Sequence, residues 1–278
     1  MAVTDAGAQA TRQHRRRQVE VANETRARFV RLWPLWTVTD RGSFDRLVEA
    51  ALPLAESRHR VSATLAQQYL SAFRLVEGAD DIDIAGLPTF ERDRVAAGMY
   101  ATGQSQTQRA LQAGLTVEAV RQQTLVTVTG SLVRNVLAGG RDTVAQTVED
   151  DLRIVGWMRI TGPNPCAFCA MLASRGPVFK TGQSALRVGR ATAPEAARHS
   201  QQAGFGRRRG TRPRDEPYHD HCVCTAEPMY EGSTMTPEAQ AFRDLWNRAQ
   251  REEDASGTTN DALNNFRRLY GRQLTSAA

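Results

Sequence analysis

The chain has 278 residues, 41% of them hydrophobic and 24% charged, a balance that suits one large or two modest cores in water. Mean hydropathy is −0.47, and no stretch approaches the roughly 18 apolar residues of a helical membrane span, which excludes a spanning protein of that kind. The net charge of +6 is carried almost wholly by arginine, with Lys180 the sole lysine among 36 basic residues, a usage that fits a GC-rich genome.

Residues 1–150 read as helices, an extended arm or a bundle. Val19, Ala22, Phe29, Val30 and Trp33 recur at helical spacing until Pro34 stops the run. Leu65, Tyr69, Phe73 and Val76 repeat the pattern in a second helix, with Ser43 as its expected N-cap and Pro53 as an expected kink. A break rich in acids and turn formers runs from Asp80 to Pro88. Helical pattern resumes at Glu91, and glutamine-rich polar spacing between Gly103 and Gln112 favours the arm. From Val117 a further helix presents Leu125, Val128, Leu132 and Val136 on one face, and Gly139-Gly140 is expected to end it.

The character changes near Asp151. Ile154–Ile160 is a short β-branched and aromatic run that reads as a strand leading into the Gly162-Pro163-Asn164-Pro165 turn. Cys166 and Cys169 follow at once in C-x-x-C spacing. Cys169–Ser174 predicts one or two helical turns closed by Gly176, and Val178–Thr181 a return strand. Some fifty residues later His219, Asp220, His221, Cys222, Val223 and Cys224 form a second cluster, which a final strand over Cys222–Met229 would leave.

Those four cysteines are all the chain has, and two tight clusters of thiol and imidazole have the arithmetic of one structural zinc site. Cys166, Cys169 and Cys222 are the firmest ligands. The fourth is His219 or Cys224, with His221 an outsider able to orient a ligand. Two disulfides would suit a small secreted scaffold, but the sequence begins MAVTDAGAQATRQHRRRQ, with no apolar signal segment. A thioredoxin-like pair would leave Cys222 and Cys224 unexplained. A zinc deaminase has P-C-x-x-C, as Pro165–Cys169 does, yet it also needs H-x-E upstream; after His14 and His59 the second positions hold Arg16 and Val61. Four protein ligands close the shell, whereas catalytic zinc keeps a place for water. Without metal, a module of so few strands could scarcely fold alone.

Between the clusters, residues 183–216 carry a basic loop. From Arg187 to Glu216 eight arginines face only Glu195, Asp215 and Glu216, so most of the net charge sits there. Such a run is a solvated loop or a phosphate contact. Arg207, Arg208, Arg209, Arg212 and Arg214 are the candidates for DNA. The tail holds two helices: Thr236-Pro237-Glu238 is an N-cap signature ahead of Phe242, Leu245, Trp246 and Ala249, and a second begins near Asn260 with Leu263, Phe266 and Tyr270. The whole predicts a mainly α chain with a small α+β zinc-stabilised module, divided as 1–150, 151–235 and 236–278.

The runs GWMRITGPNPCAFCAMLASRGPVF and YHDHCVCTAEPMY, with the arginine-bearing spacer between them, resemble the MuF-like minor capsid (phage head morphogenesis) proteins of tailed phages that infect actinobacteria. The resemblance covers residues 150 to 230. Relatives of that type show H-P-N-C-R-C or H-P-H-C-R-C at the second cluster, which places His219, Cys222 and Cys224 on shared positions; Asp220 and Val223 depart from the pattern. The resemblance implies a low-copy structural virion component inside the capsid at the portal vertex, made in the host cytoplasm beside portal, scaffold and major capsid proteins. It also implies contact with packaged double-stranded DNA, in packaging or ejection. Two enzymatic alternatives stand beside it. A capsid maturation protease would need a nucleophile with a histidine base, and neither His59 nor His199 has that setting. A His-Me-type nuclease could use His219-Asp220-His221, but no histidine follows His221. The expectation is therefore a structural protein rather than an enzyme.

Overall fold

The computed structural model describes residues 4–78, 83–151, 153–178, 220–256 and 262–276. Arg207, Arg208, Arg209, Arg212, Arg214 and His219 lie outside the described residues, as does nearly all of the expected return strand; Val178, its one described residue, is not in a strand.

Helix α1 (Asp5–Leu32) begins where the Thr4 hydroxyl accepts from the Gly7 N–H at 3.0 Å, replacing one partner that a first turn lacks. It ends ahead of Pro34, which cannot donate to the ladder, and the chain tightens into a 3-10 turn over Trp33–Leu35. Helix α2 (Arg41–Val76) then runs back. Thr4 donates from both its N–H and its hydroxyl to Glu77, so the start of α1 is tied to the end of α2 and the two are antiparallel. One local expectation is corrected here. Asp40, not Ser43, precedes the first turn of α2, and the Ser43 hydroxyl serves the carbonyls of Thr37 and Asp40 from inside that turn. Pro53 lies within α2, which continues through it with the ring on the solvent side, where water can serve the carbonyl it leaves without a donor.

Helices α3 (Arg92–Thr102) and α4 (Gln104–Gln112) are short, and α5 (Val117–Asp150) is long. Gly139 and Gly140 do not end α5. A Cβ on Gly139 would stand 2.3 Å from the His59 carbonyl oxygen, and one on Gly140 would stand 2.8 Å from Ser62 Oγ and 2.9 Å from Gln18 Nε2. The pair lets α5 approach α2 and α1 at backbone distance. There the Gly140 N–H donates to Ser62 Oγ at 3.0 Å, and the Ser62 hydroxyl donates to Gln18 at 2.7 Å. Helices α1, α2 and α5 therefore form a bundle, the denser of the two arrangements open to the sequence. Its core holds Phe29, Phe44, Leu47, Leu132 and Val136, all at 0% exposure. Trp33 and Trp36, centroids 4.8 Å apart, close its end.

His14 faces inward from α1 and stacks on Tyr69 of α2, ring centroids 4.5 Å apart. Burial lowers its pKa to about 3. The unfolded chain therefore binds a proton near pH 6.5 that the folded one refuses. Stability should be intact above pH 6.5 and fall by up to about 1.4 kcal/mol per pH unit down to pH 3. Urea titrations across that window should show a shallower acid slope for His14→Phe, which keeps the stack; an equal slope would place the acid sensitivity elsewhere.

Past Asp150 the chain enters β1 (Ile154–Ile160), which pairs antiparallel with β2 (Thr225–Tyr230): Ile154 faces Tyr230 and Ile160 faces Thr225. An irregularity between Ile154 and Gly156 turns Val155 outward, 41% exposed. The final strand begins at Thr225 rather than Cys222, because the two cysteines belong to the turn before it. Pro228 is tolerated, since each strand of a two-stranded ribbon keeps an outer edge. Between the strands in sequence lies α6 (Ala167–Ala173), ended as expected at Gly176 with φ +69°, where a left-handed backbone favours glycine.

A second core joins the ribbon to the bundle. Tyr69, Leu70 and Phe73 of α2 and Val144 of α5 meet Trp157, Leu172 and Tyr230. Helices α7 (Pro237–Ser256) and α8 (Ala262–Ser276) close it. The Thr236 hydroxyl caps α7 by accepting from the Ala239 N–H at 3.0 Å. Phe242, Leu245, Trp246 and Leu263 pack against this core, and Phe266 and Tyr270 are buried in it. The tail stripes are thus satisfied within the chain. Beside this core Arg74 and Asp151 form an ion pair at 3.3 Å with 3% and 0% of their side chains exposed.

Candidate metal centre

The first cysteine pair is organised by α6. Cys166 is its N-cap, and its sulfur accepts from the Cys169 N–H at 3.4 Å; this backbone bond is what the C-x-x-C spacing provides. Tyr270 of α8 donates to the Pro165 carbonyl at 2.5 Å, and Arg243 of α7 donates to the carbonyls of Ser174 and Arg175 at 3.1 Å each. Both ends of α6 are held from the tail.

The second cluster folds onto the first. The sulfurs of Cys169, Cys222 and Cys224, all buried, lie within 4.8 Å of one another, with Cys169 and Cys222 at 3.4 Å. A disulfide needs about 2.05 Å, so the four cysteines are free thiols. A tetrahedral shell with Zn–S near 2.3 Å separates sulfurs by about 3.8 Å, within the 4.8 Å that bounds the separations of the Cys169, Cys222 and Cys224 sulfurs. Cys166, expected as a ligand, is exposed and is not one of the three sulfurs that converge; its hydrogen bond to Cys169 is the leading cause raising that thiol. Hydrogen bonds from Cys169 and Cys224 push the Cys222 thiol down, helped by the charges of Arg141 and Arg159. Soft thiols crowded together could hold a thiophilic ion, whose binding displaces their protons.

The buried cations beside the thiols are the part of the site that sequence reasoning missed. Arg159 of β1 is 1% exposed and donates from Nη1 towards Cys169 Sγ at 3.6 Å. Arg141 of α5 donates to the Cys222 carbonyl at 2.7 Å and the Cys224 carbonyl at 3.1 Å. Arg134, two turns earlier, pairs with Asp220 at 3.3 Å. A Cβ on Gly130 would stand 2.4 Å from Nε2 of His221. Gly130, Arg134 and Arg141 follow one another at i, i+4 and i+11, a single stripe of the helix, and that stripe holds the turn carrying Cys222. The helical period was the available signal; reading Gly139-Gly140 as a helix end removed Arg141 from the stripe.

Among the described residues the ligand group contains no histidine. His221 is exposed, with φ +65°, and lies against Gly130. The two departures from the expected cluster pattern have local partners: Asp220 has Arg134, and Val223 packs where a Cβ on Gly162 would come within 2.6 Å of its Cγ2. On the α5 side of Cys224, a cavity of about 10 Å³ lined by His14, Arg141 and Val144 is at the lower limit for one water. His59, weighed as a catalytic base, is 5% exposed, and its ring lies 5.3 Å from that of Phe90.

Fold and site together define a helix bundle joined to a two-stranded ribbon by an apolar core, with a cluster of thiols beside the ribbon. The chain belongs to the VG15 protein family, which matches residues 5–249, a span that takes in the bundle and both cysteine pairs. It is also similar to the Gene 15 protein of Mycobacterium phage D29, 27% identical over 217 residues, 74% of this chain and 75% of that one. The kinship is therefore to a phage-encoded protein. No solved structure matches it.

Proposed function

We propose that this chain is a structural, low-copy phage head protein of the MuF-like minor capsid type, standing near the portal and acting in head assembly, DNA packaging or ejection. The carrying observation is the cysteine cluster, buried between α5, β1 and α6 and braced by Arg141 and Arg159. The three converging thiols of Cys169, Cys222 and Cys224 would hold zinc, with Cys166 closing a four-thiolate shell. In that role the ion would supply cross-linking rather than chemistry: it would join the turn held by α5 to the N-terminus of α6 and fix the ribbon on the bundle. The family match and the similarity to a mycobacteriophage protein support a head-related role. Portal, scaffold and major capsid proteins are the partners proposed, with the virion interior as the location.

Mass spectrometry of purified particles tests this. Recovery of the intact chain at low copy number in mature virions is expected; its absence there, with presence only in assembling heads, would favour the maturation protease. Incubation with plasmid and magnesium tests the nuclease alternative, and nicking lost in His221→Ala would overturn the structural role.

A further inference from the structure

We infer that the outward face of α1 binds the phosphate backbone of double-stranded DNA, with Arg12, Arg16 and Arg17 at its near end and Arg28 and Arg31 at its far end. These residues are distinct from those of the arginine loop read from the sequence, and the inference rests on the proposal that packaged DNA is a partner.

Helix α1 carries seven arginines against Asp5, Glu20 and Glu24. His14, Gln18, Ala22, Thr25 and Phe29 are buried on one side. At 100° per residue Arg12, Arg16 and Arg31 fall on the opposite side and Arg17 and Arg28 on one flank of it, and all five are exposed. None forms an ion pair among the described residues. Several exposed arginines elsewhere do have carboxylate partners: Arg46 pairs with Asp40, Arg92 with Glu56, Arg94 with Glu91 and Arg268 with Glu252. Of the two acids in the middle of α1, Glu24 is taken by Arg58 of α2 at 2.7 Å, which leaves Glu20 as the face's own counter-charge there. Unmatched like charges on one face repel one another, and a polyanion relieves that repulsion. The row from Arg12 to Arg31 spans about 28 Å at 1.5 Å per residue. Duplex DNA offers a phosphate charge every 1.7 Å or so over that length, so a rigid rod of guanidiniums suits it without any sequence preference. An acidic protein surface would have to match the same spacing with discrete carboxylates.

The test is the salt dependence of full-length, zinc-loaded protein binding to a mixed-sequence duplex of about three helical turns. Replacing Arg12, Arg16 and Arg17 with glutamine should lower the slope of log affinity against log salt by about 2.7, at about 0.9 for each lost contact; adding Arg28→Gln and Arg31→Gln should lower it further. These side chains are exposed, so circular dichroism should be unchanged. A wild-type slope in the α1 variant, with a reduced slope when Arg207, Arg208, Arg209, Arg212 and Arg214 are replaced instead, would overturn the inference and leave DNA as a partner of the loop. Absence of duplex binding by the wild-type chain would overturn both. Loss of binding to purified portal or scaffold protein in the α1 variant, with the DNA slope unchanged, would make the face a protein contact and overturn the inference.

Discussion

Chelation should cost this protein the ribbon and leave it the bundle. Apparent binding free energies of structural zinc sites run to about 10–16 kcal/mol at neutral pH, as large as the whole stability of an ordinary domain. The core around Phe29, Phe44 and Leu132 does not use the cysteines, so most helical signal should survive. The segment from Ile154 to Tyr230 should become open to proteases. Cys166→Ser, Cys169→Ser and Cys222→Ser should each act like chelation, and Cys224→Ser should be as damaging, because its sulfur is one of the three that converge. His219→Ala should be mild. Full protease resistance after metal removal would show that the thiol cluster carries no load.

A comparably large loss is expected from Arg74→Met. The Arg74 and Asp151 side chains are almost wholly enclosed and 3.3 Å apart, at the point where α5 gives way to β1. Removing the guanidinium leaves the buried carboxylate only the more distant and half-exposed Arg153 guanidinium at 3.7 Å, and breaking a buried pair costs up to about 3–5 kcal/mol. Urea unfolding should report that loss. The double variant Arg74→Met with Asp151→Leu should recover much of it, since apolar groups can replace a buried pair at little cost. Recovery will be incomplete because Asp151 also accepts from the Arg153 N–H at 3.0 Å. A single variant as stable as the wild type would show that water reaches the carboxylate.

What was legible in the sequence was local. Proline 34, the Thr236 cap, the strand over Ile154–Ile160 and the left-handed Gly176 each act through their own backbone, and each stands where the residues placed it. The C-x-x-C pair was legible for the same reason, since its geometry is set within one turn. Gly139-Gly140 misled because glycine ends a helix in one context and admits a neighbouring helix in another. The His59 carbonyl and Ser62, some eighty residues earlier in the chain, and Gln18, earlier still, distinguish the two. The bracing arginines were hidden in two ways: Arg141 lay beyond the supposed helix end, and in an arginine-rich chain nothing local marks Arg159 as buried.

The central claim is that four thiolates, with no imidazole, hold one metal ion between bundle and ribbon. X-ray absorption at the zinc edge of the purified chain tests it most directly. Four sulfurs near 2.3 Å, one zinc per chain, and loss of that shell in Cys224→Ser are the results expected. A shell of three sulfurs and one nitrogen that survives Cys224→Ser and vanishes in His219→Ala would contradict it.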